Sequence, residues 1–320
     1  MTKKSGTILI TTLWILAILS ILAIGIGFRV SMEARLSKYN IDRIKAAYFA
    51  KAGIVKAQAI LLKYANTGYD TIRECGITVP ADKELIGIFT EKFGDGGFEV
   101  SYTEEGSVHY GMMDEERKIN INKAEYKVLY QLLLGKEPEN LAASIINWRS
   151  PAQPMVEGAQ DNDYESLAAP YKCKNADFSC IEELMLVKGM TPEIFDSIKE
   201  YVTVYTDGKI NLNTATVRVL RSYGLSDQSI GTIILIRNGA DNVARTKDDG
   251  RFDNIGSVAD QIGLPVDSPE RTVLSENNFT TKSNYFRIES KGMMDKSRMT
   301  SRIVCVVKRG DERLKYYREY

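Results

Sequence analysis

Residues 7–28 read TILITTLWILAILSILAIGIGF, a stretch in which no side chain is ionisable. At ~1.5 Å of rise per residue it would be roughly 33 Å long as a helix, about the thickness of a bilayer's hydrocarbon core. In lipid every backbone N–H and C=O needs a partner within the segment, so the stretch must be helical. Ahead of it stands the polar hexapeptide MTKKSG, whose only charges are Lys3 and Lys4. The chain is therefore tethered to a membrane at its N-terminal end, or has been threaded through one.

Downstream, the same helix is expected to continue. No proline occurs between Thr7 and Ala65, and the first strong stop is Asn66-Thr67-Gly68. Ile41, Ile44, Tyr48, Val55, Ala59 and Leu62 recur three, four or seven residues apart, with Asp42, Arg43, Lys45, Lys51, Lys56 and Lys63 off that stripe. A helix of ~59 residues is roughly 88 Å long. The stripe is too irregular for a coiled coil, which needs sustained heptads. An apolar half followed by an amphipathic half suits a spine whose first half inserts and whose second half packs on a sheet.

That sheet is expected in two pieces. Phe98–Tyr102 alternates apolar and polar residues, and Ser107–Met112 returns after Glu104-Glu105-Gly106. Tyr285–Ser290, Arg302–Lys308 and Leu314–Tyr320 read as later strands, with Arg309-Gly310-Asp311 turning between the last two. GMMD occurs at 111–114 and again at 292–295, each time at or after the end of a strand-like run. One antiparallel sheet interrupted by an insert from about Arg117 to Asn284 accounts for this pattern.

The insert repeats itself. KININ at 118–122 followed by KAEYKVLYQLL resembles KINLN at 209–213 followed by TATVRVLRSYG. Asn122 and Asn213 are expected to cap the helices that follow them. Each helix leads through a glycine-containing turn to a second helix, ending in IINWRS or IILIRNG, and residues 182–204 have the form of a third helix–turn–helix unit. The pattern is similar to helix–hairpin–helix, or SAM-like, domains.

Composition sets limits. With 42 basic and 42 acidic residues the net charge is zero, which argues against a mainly electrostatic nucleic-acid partner. Hydrophobic residues make up 44% of the 320 positions, enough for a real core in about two domains. Cys173 and Cys180, in CKNADFSC, are close enough to close a small disulfide loop. Cys75 and Cys305 either pair or stay free. A zinc site is disfavoured, because the one histidine, His109, is remote and no CxxC pair exists. Lys3 and Lys4 favour a cytoplasmic N-terminus, whereas Arg29, Arg35, Lys38, Arg43 and Lys45 follow the apolar run.

Three kinds of N-terminal segment compete. A secretory signal has a shorter apolar region and a small-x-small cleavage site, which Gly25-Ile26-Gly27-Phe28 fits poorly. A plain signal anchor is the second reading. The third is a prepilin-type leader, cut after a glycine that follows a short basic stretch, so that the apolar helix stays on the mature chain. Lys3-Lys4-Ser5-Gly6 ahead of the run has that form. With the apolar TLWILAILSILAIG at 12–25 and RVSMEARLSKYNIDRIKAAYFAKAGIVKAQ at 29–58, the N-terminus resembles the GspK family, the minor pseudopilins K of type II secretion systems. The resemblance extends to the insert, where Gly158-Ala159-Gln160-Asp161-Asn162-Asp163-Tyr164 is similar to the family's Gly-Ala-Glu-Asp-x-x-Tyr, with Gln160 in place of the acid.

The resemblance implies cleavage between Gly6 and Thr7 by a prepilin peptidase, which leaves 40 basic residues against 42 acidic ones and a net charge of −2. The fifth mature residue would be Thr11, where most pilins carry a glutamate, and no acid appears before Glu33. In pilin fibres that carboxylate is thought to meet the N-terminal amine of the subunit above, so a chain without it suits a filament tip. The implied fold is α+β: a pilin-like long helix packed on an antiparallel sheet, with a large inserted all-α domain. The implied divisions are a leader at 1–6, a transmembrane helix at 7–28, spine helix and first strands at 29–116, helical units at 117–204 and 205–284, and closing strands at 285–320. The implied setting is the inner membrane, single-pass, with the bulk in the periplasm. The implied partners are the I-type and J-type minor pseudopilins, other pseudopilins, the inner-membrane assembly platform, the peptidase, membrane lipid and secreted substrates.

Some relatives bind calcium in the insert, and hard oxygen ligands cluster here at Glu157, Asp161, Asn162, Asp163 and Glu165. Thr246–Asp253, with Asp248, Asp249 and Asp253, is a second oxygen-rich loop, although neither has EF-hand spacing. Calcium is thus the one cofactor expectation, weighed against plain solvated acidic loops. The alternative function is a type IV pilus minor pilin or DNA-uptake component whose helix–hairpin–helix units bind DNA. DNA-binding hairpins carry Gly-x-Gly with nearby Lys or Arg, whereas LLLGKEPEN, LVKGMTPEI and SYGLSDQ have single glycines and acidic neighbours. Catalysis finds no Gly-x-Ser-x-Gly elbow, HExxH or Walker loop. His109 reads as a packing or surface residue, and Glu104-Glu105, Glu115-Glu116 and Glu182-Glu183 are adjacent pairs whose side chains diverge. The chain reads as a non-enzyme.

Overall fold

The computed structural model describes residues 5–63, 68–72, 76–78, 87–104, 106–134, 138–150, 158–246, 248–275, 277–311 and 313–320. Helix α1, Ser5–Lys63, is one unbroken rod of 59 residues. Among the described residues it alone is long and apolar enough to cross a membrane, and none of its most apolar window is buried by the rest of the protein. It fits a single-pass anchor below a soluble body.

Strands β1 (Gly76–Thr78), β2 (Thr90–Phe93), β3 (Gly96–Glu104), β4 (Ser107–Gly111) and β5 (Met113–Asp114) follow. The insert then brings short strands β6 (Ile119–Asn120), β7 (Val202–Thr203), β8 (Ile210–Asn211) and β9 (Phe279–Thr280). The chain returns through β10 (Tyr285–Met294), β11 (Thr300–Lys308) and β12 (Leu314–Glu319). The main sheet runs β1-β4-β3-β10-β11-β12, with β2 beside β3 and β5 beside β10, and every pairing is antiparallel. The register sets Ser290 opposite both Val100 and Ile303, which aligns the inward residues of three strands under α1.

α1 does not pack on this sheet with the stripe of large apolar residues. Ile41, Ile44, Tyr48, Val55 and Leu62 are all more than half exposed. The face turned to the sheet is Ala46, Ala50, Gly53, Ile54, Ala57, Ile60 and Leu61. Small side chains bring the helix backbone close. A methyl group on Gly292 of β10 would lie 1.9 Å from the Ala46 carbonyl oxygen, and one on Gly53 would lie 2.2 Å from Ser290 Oγ. Ala50, Ile54 and Ala57 share a core with Phe98, Val100, Phe286, Ile288, Ile303, Cys305 and Val307. Lys45 reaches Asp95 at 2.8 Å and Lys56 reaches Glu91 at 3.4 Å, both exposed pairs of modest worth.

The insert holds a second, separate apolar core. It contains two units of one plan. In the first, β6 pairs parallel with β7 around α2 (Tyr126–Leu132) and α3 (Pro138–Arg149); in the second, β8 pairs parallel with β9 around α6 (Val217–Ser222) and α7 (Asp227–Arg237). Between α3 and α6 lie the short α4 (Asp161–Glu165) and α5 (Pro192–Ile198). Residues 182–204 are not a third unit: they form a 3-10 turn and α5 and close the first unit by ending in β7.

The duplicated asparagines do not cap helices. Glu125 and Thr216 occupy the N-cap positions, and Thr216 accepts from Val219 N–H. Asn122 instead grips a distant backbone, accepting from Phe178 N–H at 2.7 Å and donating to Phe178 O at 2.9 Å. Asn213 does the same to Phe252, at 2.8 and 2.9 Å. Arg149 donates to the carbonyls of Ile121 and Ala124, and Arg237 to those of Leu212 and Ala215. Each unit thus ties its entry strand to its second helix through one arginine.

Candidate functional site

Two surfaces carry chemistry beyond packing: the outward face of α1, and the seam where the insert meets the sheet. In the membrane segment the hydroxyls of Thr11, Thr12 and Ser20 are closed onto their own helix. Thr11 and Thr12 donate to the carbonyls of Ile8 and Leu9 at 2.9 Å each, and Ser20 to Leu16 O at 2.8 Å. Thr11 therefore presents no acid. Among the described residues the first ion pair is Arg29 with Glu33 at 3.1 Å, just past Phe28. Gly6 and Thr7 lie in the first turns of α1. Above the membrane segment, Val30, Ile41, Ile44, Tyr48, Val55 and Leu62 form one exposed ridge opposite the sheet, spaced to stay on one side of a helix with 3.6 residues per turn. From Val30 to Leu62 the ridge is roughly 48 Å long. α1 thus has two apolar faces, a small-residue one that is used and a large-residue one that is bare.

The insert stands at the end of α1 farthest from the anchor. Asp70, just after the helix, donates its N–H to Thr281 O at 2.8 Å and accepts at its own carbonyl from Asn211 at 3.1 Å. Around that point the seam is polar and buried. Asp114 Oδ1 accepts from Glu116 N–H at 2.8 Å, and its Oδ2 from Asn211 Nδ2 at 3.0 Å, Thr214 Oγ1 at 2.6 Å and Ser283 Oγ at 2.6 Å. Asp70 pairs with Arg309, whose guanidinium lies over the Phe286 ring, and also accepts from Ser283 N–H. Burial lifts Asp114 to about 6; burial and then the Asp114 charge push Glu116 up to about 9.

A second clasp joins the hairpin of β3 and β4 to the 239–249 loop. Glu104 accepts from Arg117 and Arg245, each at 2.6 Å, and Arg245 also reaches Tyr102 OH at 3.2 Å. Arg245 sits at φ 72°, a left-handed backbone a non-glycine residue avoids, held there as Asp249 accepts its N–H at 2.7 Å. Burial would raise Glu104, but the two guanidinium groups outweigh it and bring the carboxyl to about 2. His109 is a buried packing residue against Tyr102, with Arg245 3.2 Å from its Nε2; burial and that cation lower its pKa and keep it neutral.

The expected calcium ligands are spread over separate partnerships. Asp161 accepts from Cys173 N–H, Asp163 from Gln160 N–H and Lys188, and Glu165 pairs with Lys172. Asp248 accepts from Ala240 N–H, Asp241 N–H and the Thr246 hydroxyl, Asp249 from Arg245 and Thr246 N–H, and Asp253 from Arg251. Among the described residues no three acidic, cysteine or histidine side chains converge on one point. The described carboxylates among them do not converge into a calcium cage. Glu157 and Cys75 lie outside the described residues.

Cys173 and Cys180 are not joined, contrary to the disulfide expected from their spacing. Cys173 is buried in the first unit's core, where its thiol bonds to Asp161 and burial pushes it up to about 12, while Cys180 is half-buried at the start of the 3-10 turn. Cys305 is likewise a free, buried thiol, in β11. The hairpin of the second unit carries Gly224 at φ 91°, and its nearby Arg221 is occupied by Asp227 at 2.7 Å rather than left for a phosphate.

The apolar stripe of α1 was legible in the sequence but its exposure was not, and the seam was not legible at all. Asp70, Asp114, Asn211, Ser283 and Arg309 are far apart in sequence and follow no short motif.

Comparison with known proteins fits this architecture. Residues 113–207, from the seam through the first unit, match the family described as type II secretion system (T2SS), protein K. Type II secretion system protein K of Pseudomonas aeruginosa is 26% identical over 283 residues, covering 85% of this chain and 84% of that protein. Its counterpart in Klebsiella pneumoniae is 21% identical over 235 residues, 68% of this chain and 67% of the relative. A chain in the crystal structure of the GspK–GspI–GspJ complex from enterotoxigenic Escherichia coli has the same fold, with TM-score 0.62 and 14% identity, covering 89% of this chain and 99% of that one. With the long anchor helix, the interrupted sheet and the duplicated insert all in place, the chain is similar over most of its length to type II secretion system protein K, and its residues 113–207 match that family.

Proposed function

We propose that this protein is a minor pseudopilin at the tip of the type II secretion pseudopilus, anchored in the inner membrane with its body in the periplasm. Prepilin peptidase cuts between Gly6 and Thr7, leaving the apolar helix on the mature chain. The protein then assembles with I-type and J-type minor pseudopilins on the inner-membrane platform and initiates or caps the fibre, supporting export across the outer membrane. Its role is structural rather than catalytic.

The observation that carries this reading is the bare ridge of α1. A ridge of large apolar side chains roughly 48 Å long, continuous with the membrane segment and opposite the sheet, is stable in water only when covered. Parallel helices of other pseudopilins offer the matching surface. Two features favour the tip. Thr11 gives the amine of a subunit above no carboxylate to meet, and the insert widens the body at the end farthest from the membrane. The test is co-purification of the full chain, in detergent, with candidate I-type and J-type minor pseudopilins. Recovery of the chain alone under conditions where those two still associate with each other overturns the proposal.

A further inference from the structure

The two apolar cores of the molecule share no residue, and what separates them is a buried layer of polar groups. The layer draws on every segment that passes between the bodies: Asp70 after α1, Asp114 and Glu116 at the insert's entry, Asn211 and Thr214 in the second unit, Ser283 at the exit, and Arg309 after β11. Three carboxylates meet there with a single guanidinium, that of Arg309, paired to one of them. Asp114 accepts four hydrogen bonds and is built to hold the charge. Glu116 is 3% exposed, its own N–H is held by Asp114, and among the described residues no cation forms an ion pair with its carboxyl.

We propose that this layer is a proton-operated latch: with Glu116 protonated the insert is held against the sheet, and loss of that proton frees the insert to move as a body while both apolar cores stay intact. The other charged groups around the pair are already committed. Arg117 serves Glu104, Lys118 and Arg287 face Glu115, Asp207 takes Tyr285 OH and lies 3.9 Å from Lys308, and Lys282 lies toward Asp70. None is placed to neutralise a second charge at Glu116. Opening the seam returns Glu116 to water, where it ionises at ordinary carboxylate values, so opening releases one proton. Above about pH 7, where Asp114 is already ionised in the closed state, its equilibrium constant must therefore rise about tenfold per pH unit until Glu116 itself ionises in place.

Hydrogen exchange of the full chain in detergent micelles, read by mass spectrometry from pH 7 to 9 and corrected for intrinsic rates, tests this. The informative amides are those of Asp70 and Ser283, which bond across the seam. They are expected to be less protected than amides of α7 and β11 at every pH, and to lose protection about tenfold per unit, whereas in Glu116→Gln they hold steady. Seam protection that is independent of pH in the wild type overturns the latch, with no variant needed. So does seam protection equal to that of the two cores, which means that the seam opens only on global unfolding.

Discussion

At the scale of single residues, closeness decides more than hydrophobicity. Gly292 faces the α1 backbone, so Gly292→Ala forces helix and sheet apart. It is expected to cost about 2 kcal/mol in urea unfolding of the full chain. Gly231, on the open face of α7, has nothing within 4 Å of an added methyl, and Gly231→Ala is expected to add roughly 0.5–1 kcal/mol. Asn213→Ala removes both bonds to Phe252 and leaves buried backbone groups unpaired, for an expected loss of about 2–3 kcal/mol. The asparagine repeat was legible in the sequence, but the job was misread. A capping rule looks three residues ahead, whereas Asn122 and Asn213 bond 56 and 39 residues away.

Among the elements, the strands could be read because alternation with period two is a local signal. β3, β10 and β11 lie over the expected runs with ends extended by a few residues. Helix α1 was equally legible in extent, and the face it buries was not. Rules for amphipathic helices follow large apolar residues, which here led to Ile41, Ile44, Tyr48, Val55 and Leu62. The sheet instead takes Ala46, Ala50, Gly53 and Ala57, whose smallness is what lets the backbones approach. This assignment predicts a separation of effects. Val55→Glu is expected to leave the melting temperature of the detergent-solubilised chain within a degree or two, yet abolish co-purification with the minor pseudopilins. Ala50→Leu, on the other face, is expected to lower the melting temperature through overpacking. Equal effects from both changes would mean that the ridge is not an interface.

For the molecule as a whole, charge sets two pH limits of opposite sign. Glu104 has a folded pKa near 2, below its unfolded value, so its contribution is present above about pH 4.5 and is lost as the pH falls toward 2. Glu116 has a folded pKa near 9, above its unfolded value, so stability is greatest at low pH and falls as pH climbs from about 4.5 to 9, by at most about 1.4 kcal/mol per unit. The urea midpoint is expected to decline on both sides of mildly acidic pH, with Glu116→Gln flattening the alkaline limb and Arg245→Ala, which lets the Glu104 carboxyl return toward its unfolded pKa, flattening the acid one. A further consequence belongs to the rod itself. Every large apolar side chain from Ile8 to Phe28 is uncovered by the protein, so drawing that length out of lipid into water would cost on the order of tens of kcal/mol. The rod can leave its bilayer only by being handed, side chain by side chain, to neighbouring helices as greasy as the lipid it quits.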